Sequence, residues 1–201
     1  MDIRRIEQSF QTDQAGKCSR ASGGMVASAF PEATHAGVEM LQLGGNAVDA
    51  ACAAALALCV CEPQACGVGG QSMAMVGVNG KYVFLNGSGR VPLKLRPDKL
   101  DPYDLHHGYR ATSVPTTLAV IEYMNRHFGV MKWEELFKPA IDIARNGYRI
   151  TRLQHDLQER ELTLFHQHSS AVGGAYFLKN GTAPYAPGDL FKQSDLALVL
   201  E

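Results

Sequence analysis

Apolar residues are scattered thinly from Met1 to Ser22 and crowd together from Gly24 onward. Residues 24–29 (GMVASA) form a short apolar run at the glycine pair Gly23-Gly24, which predicts a buried strand leaving a flexible leader. Pro31, with its fixed φ, and Glu32, with its negative charge, both suit the first turn of a helix. That helix is predicted over 31–43, where Gly44 stops it. Asn46 opens a second helix by capping free amides, and Asp49, three residues on, is placed to reach back to it. The body of this helix, AVDAACAAALALCV, is apolar all round and must be covered on every side. It is the predicted centre of the domain.

Pro63 ends that helix, and a glycine-rich bend, Gly67-Val68-Gly69-Gly70-Gln71-Ser72, leads into a strand over 73–78. Asn79-Gly80 then separates MAMVGV from KYVFLN. Both residues accept positive φ, so a type I′ hairpin is predicted. The second strand runs out into Asn86-Gly87-Ser88-Gly89-Arg90, and a polar connection occupies 92–110. Val114-Pro115-Thr116-Thr117 introduces a helix ending at Phe128, and residues 133–146 predict another, in which Pro139 should force a kink or a break. Residues 148–150 read as a short extended piece. A helix over 151–165 should bury Leu153, Leu157, Leu164 and Phe165. A loop over 173–189 precedes apolar periodicity at 196–200, and the sequence ends inside that helix. With no internal repeat or low-complexity linker, residues 1–22 read as a polar leader and 23–201 as one domain or part of one.

Composition narrows the function classes. Across 201 residues, 46% are hydrophobic and 19% charged, as in ordinary globular proteins. Nineteen basic residues against twenty acidic ones leave a formal net charge of −1, so no field draws the chain toward nucleic acid or anionic lipid. The leader carries Arg4, Arg5, Lys17 and Arg20 without an apolar run of signal-peptide type, which points to the cytoplasm. Residues 50–60 are too short an apolar stretch to cross a bilayer, and no membrane association is expected. The five cysteines, Cys18, Cys52, Cys59, Cys61 and Cys66, are odd in number and mostly within an alanine-rich region, which suits small buried thiols. Their spacing is not that of a usual zinc site. No metal and no organic cofactor is expected.

Candidate chemistry is sparse in the residues alone. The glycine-rich bend lacks the lysine of a phosphate-binding loop and precedes a strand, so tight backbone approach explains it better. The pairs His106-His107 and His166-x-His168 do not have the spacing that places two ligands on one helical face, and surface histidines suit them. Arg90 ends a glycine-flanked segment at the exit of a strand. A guanidinium there can grip a carboxylate through two parallel hydrogen bonds, although on the residues alone a solvated surface arginine suits the position better.

Specific strings carry a resemblance. Gly24-Met25-Val26-Ala27-Ser28, Pro31, Ala36-Gly37-Val38-Glu39-Met40-Leu41 and Gly44-Gly45-Asn46-Ala47-Val48-Asp49-Ala50-Ala51 resemble the N-terminal signature of the gamma-glutamyltransferase family. Glu62-Pro63, Gly67-Val68-Gly69-Gly70, Ser113-Val114-Pro115, Leu136-Phe137-Lys138-Pro139-Ala140-Ile141 and Ala144-Arg145-Asn146-Gly147-Tyr148 are similar to its following blocks. The resemblance implies an α+β fold, the N-terminal-nucleophile hydrolase fold in its layered αββα form. Residues 23–201 would then be the incomplete N-terminal region of the large subunit.

Family members are proenzymes that cleave themselves before a threonine, which then attacks a gamma-glutamyl amide such as glutathione. The covalent ester is resolved by water or by an acceptor amino acid. That threonine begins a separate small subunit, and Thr112, Thr116, Thr117 and Thr182 lie in the wrong blocks to be it. The implied partners are a small-molecule gamma-glutamyl donor, an acceptor, and the small subunit. The chain alone should therefore be inactive and prone to self-association. Arg90 occupies the place of the family arginine that binds the donor α-carboxylate. Two departures stand out: Val91 follows the arginine where the family commonly has glutamate, and Gln71-Ser72-Met73 replaces a run of glycines and a phenylalanine. A non-catalytic relative that binds gamma-glutamyl ligands, or a related acylase with another amide substrate, are the alternatives.

Overall fold

The computed structural model describes residues 19–103, 109–168 and 171–201. The expectations for His106 and His107, and for most of the leader, lie outside the described residues.

The fold is built around one helix. Helix α1 (Pro31–Gln42) packs along α2 (Ala47–Cys61), which also lies against two later helices. Cys52, Ala53, Ala57, Val60 and Cys61 of α2 are inaccessible or nearly so, and Leu56 is 1% exposed. Burying Leu56 and Val60 contributes about 1.5–3 kcal/mol each. The helix begins as its sequence prescribes. Asn46 Oδ1 accepts from the Val48 and Asp49 amides at 2.8 and 3.1 Å, and Asp49 Oδ2 accepts the Asn46 amide at 2.8 Å. Its other end leaves carbonyls without helical partners, and distant amides meet them. Gln154 Nε2 donates to the Cys61 carbonyl at 2.9 Å, and Gln193 Nε2 to that of Val60 at 2.6 Å.

Strands β1 (Ser72–Val78) and β2 (Lys81–Gly87) form the expected hairpin, pairing Val78 with Lys81 and Met75 with Phe84. Asn79 and Gly80 have φ of 51° and 73°, as a type I′ turn requires. Alternation along the strands turns Ala74, Val76 and Leu85 toward α3 (Thr117–Phe128). The opposite face carries Met73, Met75, Tyr82 and Phe84, all 62% exposed or more.

Helix α4 (Trp133–Asn146) lays Leu136, Pro139, Ala140 and Ala144 in the core. It is followed by β3 (Tyr148–Arg149), α5 (Arg152–His168), α6 (Ala171–Phe177), β4 (Leu190–Phe191) and α7 (Ser194–Leu200). β3 and β4 pair antiparallel, Tyr148 opposite Phe191. Around Phe191 gather the rings of Tyr148, Tyr176, Phe177 and Tyr185, with centroids 5.1–6.4 Å away.

Four expectations change. Residues 24–29 are not a strand, because a β-ladder needs a neighbour and β1 and β2 pair only with each other. Helix α4 runs through Pro139 without a break; the buried proline ring and the packing of α4 on α2 and α7 hold the turn that lacks one hydrogen bond. Leu153 is 60% exposed, because the register of α5 turns Gln154 inward instead. Thr151 and Gln154 form a capping box that sets this register: the Gln154 amide donates to Thr151 Oγ1, and Gln154 Oε1 accepts the Thr151 amide. Finally, the predicted loop 173–189 begins inside α6, whose Phe177 packs on Phe191.

Candidate functional site

β2 delivers the chain to Gly87, and the loop that follows is fastened from three sides. The Ser88 amide donates to Asn86 Oδ1 at 3.0 Å. Thr116 Oγ1, just before α3, donates to the Gly87 carbonyl, and the Gly89 amide donates to Gln71 Oε1. Close approach leaves little room for a side chain at two glycines here. A Cβ on Gly87 would run into Val120 and the Ser72 carbonyl, and one on Gly89 into the Ser113 side chain.

The glycine-rich bend beneath this loop has a structural task. Its Gly70 amide donates to the Gly67 carbonyl at 2.9 Å, and the Gly70 carbonyl accepts the Thr116 and Thr117 amides at 2.9 and 3.2 Å. The bend thus joins the start of β1 to the start of α3.

Arg90 emerges from this loop exposed, and among the described residues its guanidinium has no hydrogen-bond or ion-pair partner. It lines a groove of about 560 Å³ whose walls are Phe84, Leu85, Val114, Val120 and Tyr123, with Ser88 and Thr116 as polar neighbours. Low-dielectric apolar surface beside a charge strengthens a pair formed against it. An unpaired guanidinium beside such a groove can take a carboxylate in bidentate fashion. A second hollow, of about 350 Å³ between α5, Tyr148 and Phe191, shares no lining residue with the first, and its Arg160 is paired with Glu161 at 2.7 Å.

The other candidates separate from Arg90. Burial pushes the Cys52 and Cys61 thiols up to about 12 and that of Cys59 to about 11. Cys66 is also raised, by burial and then by the Glu62 carboxylate, to which its Sγ donates at 3.6 Å. Thiols held protonated are poor nucleophiles and poor ligands. Thr116 is engaged with Gly87, and Thr117 is buried. His166 is exposed and bonded through Nε2 to the Thr182 carbonyl at 3.1 Å.

Two features escaped the sequence reading. His155, Asp156 and Glu159 bring potential ligand atoms within 4.8 Å of one another on α5, at positions i, i+1 and i+4. His155 Nδ1 is bonded to the Tyr185 carbonyl at 2.8 Å and Asp156 to Arg152 Nε at 2.8 Å. The latch from Gln71 to Gly89 spans 18 residues and had only one signal, the departure of Gln71 from a glycine-rich pattern.

Among the described residues no helix is long and apolar enough to cross a membrane. The family model for gamma-glutamyltranspeptidase matches residues 33–201. The chain is 32% identical over 188 residues to a glutathione hydrolase proenzyme of Pseudomonas sp. (strain A14), covering 90% of this chain and 32% of that protein. It therefore spans about a third of the length of that relative. It superimposes on the crystal structure of Helicobacter pylori gamma-glutamyltranspeptidase with a TM-score of 0.85 and 35% identity, covering 91% of this chain and 54% of that one. A cephalosporin acylase from Bacillus halodurans gives a TM-score of 0.78 at 29% identity, over 95% of this chain and 38% of that one. The architecture is the α+β one of the N-terminal-nucleophile hydrolases. On the matched residues and the shared fold, the chain belongs to the gamma-glutamyltranspeptidase family.

Proposed function

We propose that residues 23–201 are the donor-gripping, N-terminal part of an enzyme that transfers or hydrolyses gamma-glutamyl groups. The observation that carries this reading is Arg90, unpaired among the described residues and presented beside an apolar groove. Its guanidinium takes the α-carboxylate of the donor in two hydrogen bonds and so orients the gamma-glutamyl amide. The nucleophile lies outside these residues, as the N-terminal threonine of a small subunit. Its Oγ adds to the amide carbonyl while its proton passes to the threonine's own α-amino group and on to the departing amine. Water or an acceptor amine then adds to the resulting ester, and the threonine hydroxyl is released.

The proenzyme names of the relatives, and the share of their length outside this chain, support a partner that completes the site. So does the exposed apolar face of the β1–β2 hairpin, which a larger fold would cover. Free Cys52, Cys59, Cys61 and Cys66 support a reducing compartment, in keeping with a cytoplasmic setting.

A second reading, an acylase acting on another amide, is favoured by two observations. The likeness to the cephalosporin acylase is one. The other is Val91, 71% exposed, which leaves no carboxylate directly after Arg90. Release of the anilide from a gamma-glutamyl anilide, measured on the 201 residues alone and on the product of the complete reading frame, separates these cases. Activity only in the longer product supports the proposal. Activity of the 201 residues alone, or silence in both, overturns it.

A further inference from the structure

We propose that Gln71 is a positioning residue for Arg90, an inference that rests on the reading of Arg90 as the grip on the donor carboxylate. Gln71 precedes β1, and its Oε1 accepts the amide of Gly89, the residue immediately before Arg90. Beyond Ser88 it is the one hydrogen bond among the described residues that holds this loop. Gly89 has no side chain, and glycine loses more conformational freedom on ordering than any other residue. Ser88 and Arg90 are exposed, and Arg90 itself makes no bond to the described residues.

Upstream, Asn86 and Thr116 fasten the loop as far as Ser88. Gln71 is the fastening nearest to the arginine, and it ties the loop to the segment leading into β1. With the latch closed, the Arg90 backbone leaves the hairpin in one direction and the guanidinium stays beside the groove. With the latch open, the donor must order two residues on binding, and affinity falls by that entropy. A glycine at position 71 has no side chain with which to reach Gly89. The departure at 71 is therefore the device by which this chain fixes its arginine.

The test uses the full-length enzyme, two donors and three variants. One donor is gamma-glutamyl anilide. The other is 4-aminobutyryl anilide, the same molecule without its α-carboxylate. Gln71→Met keeps the length of the side chain and removes the acceptor, Gln71→Ala removes both, and Arg90→Ala removes the grip. Loss of one hydrogen bond predicts a KM for gamma-glutamyl anilide raised about threefold to tenfold in both Gln71 variants, with kcat within about twofold of wild type. For 4-aminobutyryl anilide, kcat/KM should stay unchanged, because it has no carboxylate for Arg90 to take.

If Gln71→Met behaves as wild type while Gln71→Ala fails, the side chain only fills space and the proposal is overturned. Equal losses on both donors also overturn it, since they report general damage to the fold. If Arg90→Ala leaves the donor KM unchanged, the carboxylate reading itself fails. A large effect of Arg90→Ala with none from Gln71→Met sinks only the latch.

Discussion

The Val130 amide donates to both carboxylate oxygens of Asp49, 3.1 Å to each, joining residues 81 positions apart. The same buried carboxylate accepts the Met131 amide at 3.2 Å, the Asn46 amide at 2.8 Å and Asn125 Nδ2 at 3.4 Å. It therefore caps α2 locally and holds the turn between α3 and α4 at the same time.

Replacing Asp49 by Ala orphans several of these amides in the interior. We expect a stability loss of about 3 kcal/mol or more, and a smaller one for Asp49→Asn, which keeps one oxygen acceptor. Urea unfolding of the full-length protein reads this as a lower midpoint at an unchanged slope. An unfolding free energy within about 0.5 kcal/mol of wild type would show that the carboxylate caps only its own helix.

The thiols give a pH dependence with a definite sign. Cys52, Cys59 and Cys61 have folded values above the ordinary 9.0, so the folded state holds their protons more tightly than the unfolded chain does. Their stabilising effect is whole below about pH 9 and is lost as pH climbs toward 11–12, by about 1.4 kcal/mol per thiol per pH unit. A disulfide reagent at pH 8 should label Cys66 before these three in native protein, and all of them in urea. Rapid native labelling of Cys52, mapped by mass spectrometry, would contradict the burial.

The hairpin face of Met73, Met75, Tyr82 and Phe84 should make the 201-residue chain self-associate when expressed alone. Light scattering should show mass rising with concentration, and the double variant Met75→Glu, Phe84→Lys should suppress the rise. A wild-type monomer at high concentration would count against an uncovered interface.

These relationships show which parts of the molecule were legible in its residues. Asn79-Gly80 specified the hairpin because its two positive φ values are demanded locally, and Asn46 with Asp49 specified the start of α2 because their hydrogen bonds close within three residues. The proposed role of Arg90 comes only from the family strings around it; on its own the residue matched a surface arginine. What escaped were contacts between distant segments. Nothing near residue 49 announces Val130, and nothing near Gln154 or Gln193 announces the last carbonyls of α2. Residues 24–29 have strand composition, yet pairing depends on a neighbour that local composition does not contain. At Pro139 tertiary packing kept the helix continuous where local preference also allowed a break.

The central claim is that Arg90 holds the donor by its α-carboxylate. Its most direct test is the KM for a gamma-glutamyl donor in the complete enzyme carrying Arg90→Lys, a change that keeps the charge and removes the bidentate fork. The account predicts a KM raised about tenfold or more, corresponding to a loss of about 1.4 kcal/mol, with kcat much less affected. An unchanged KM would contradict it and return Arg90 to the solvated surface.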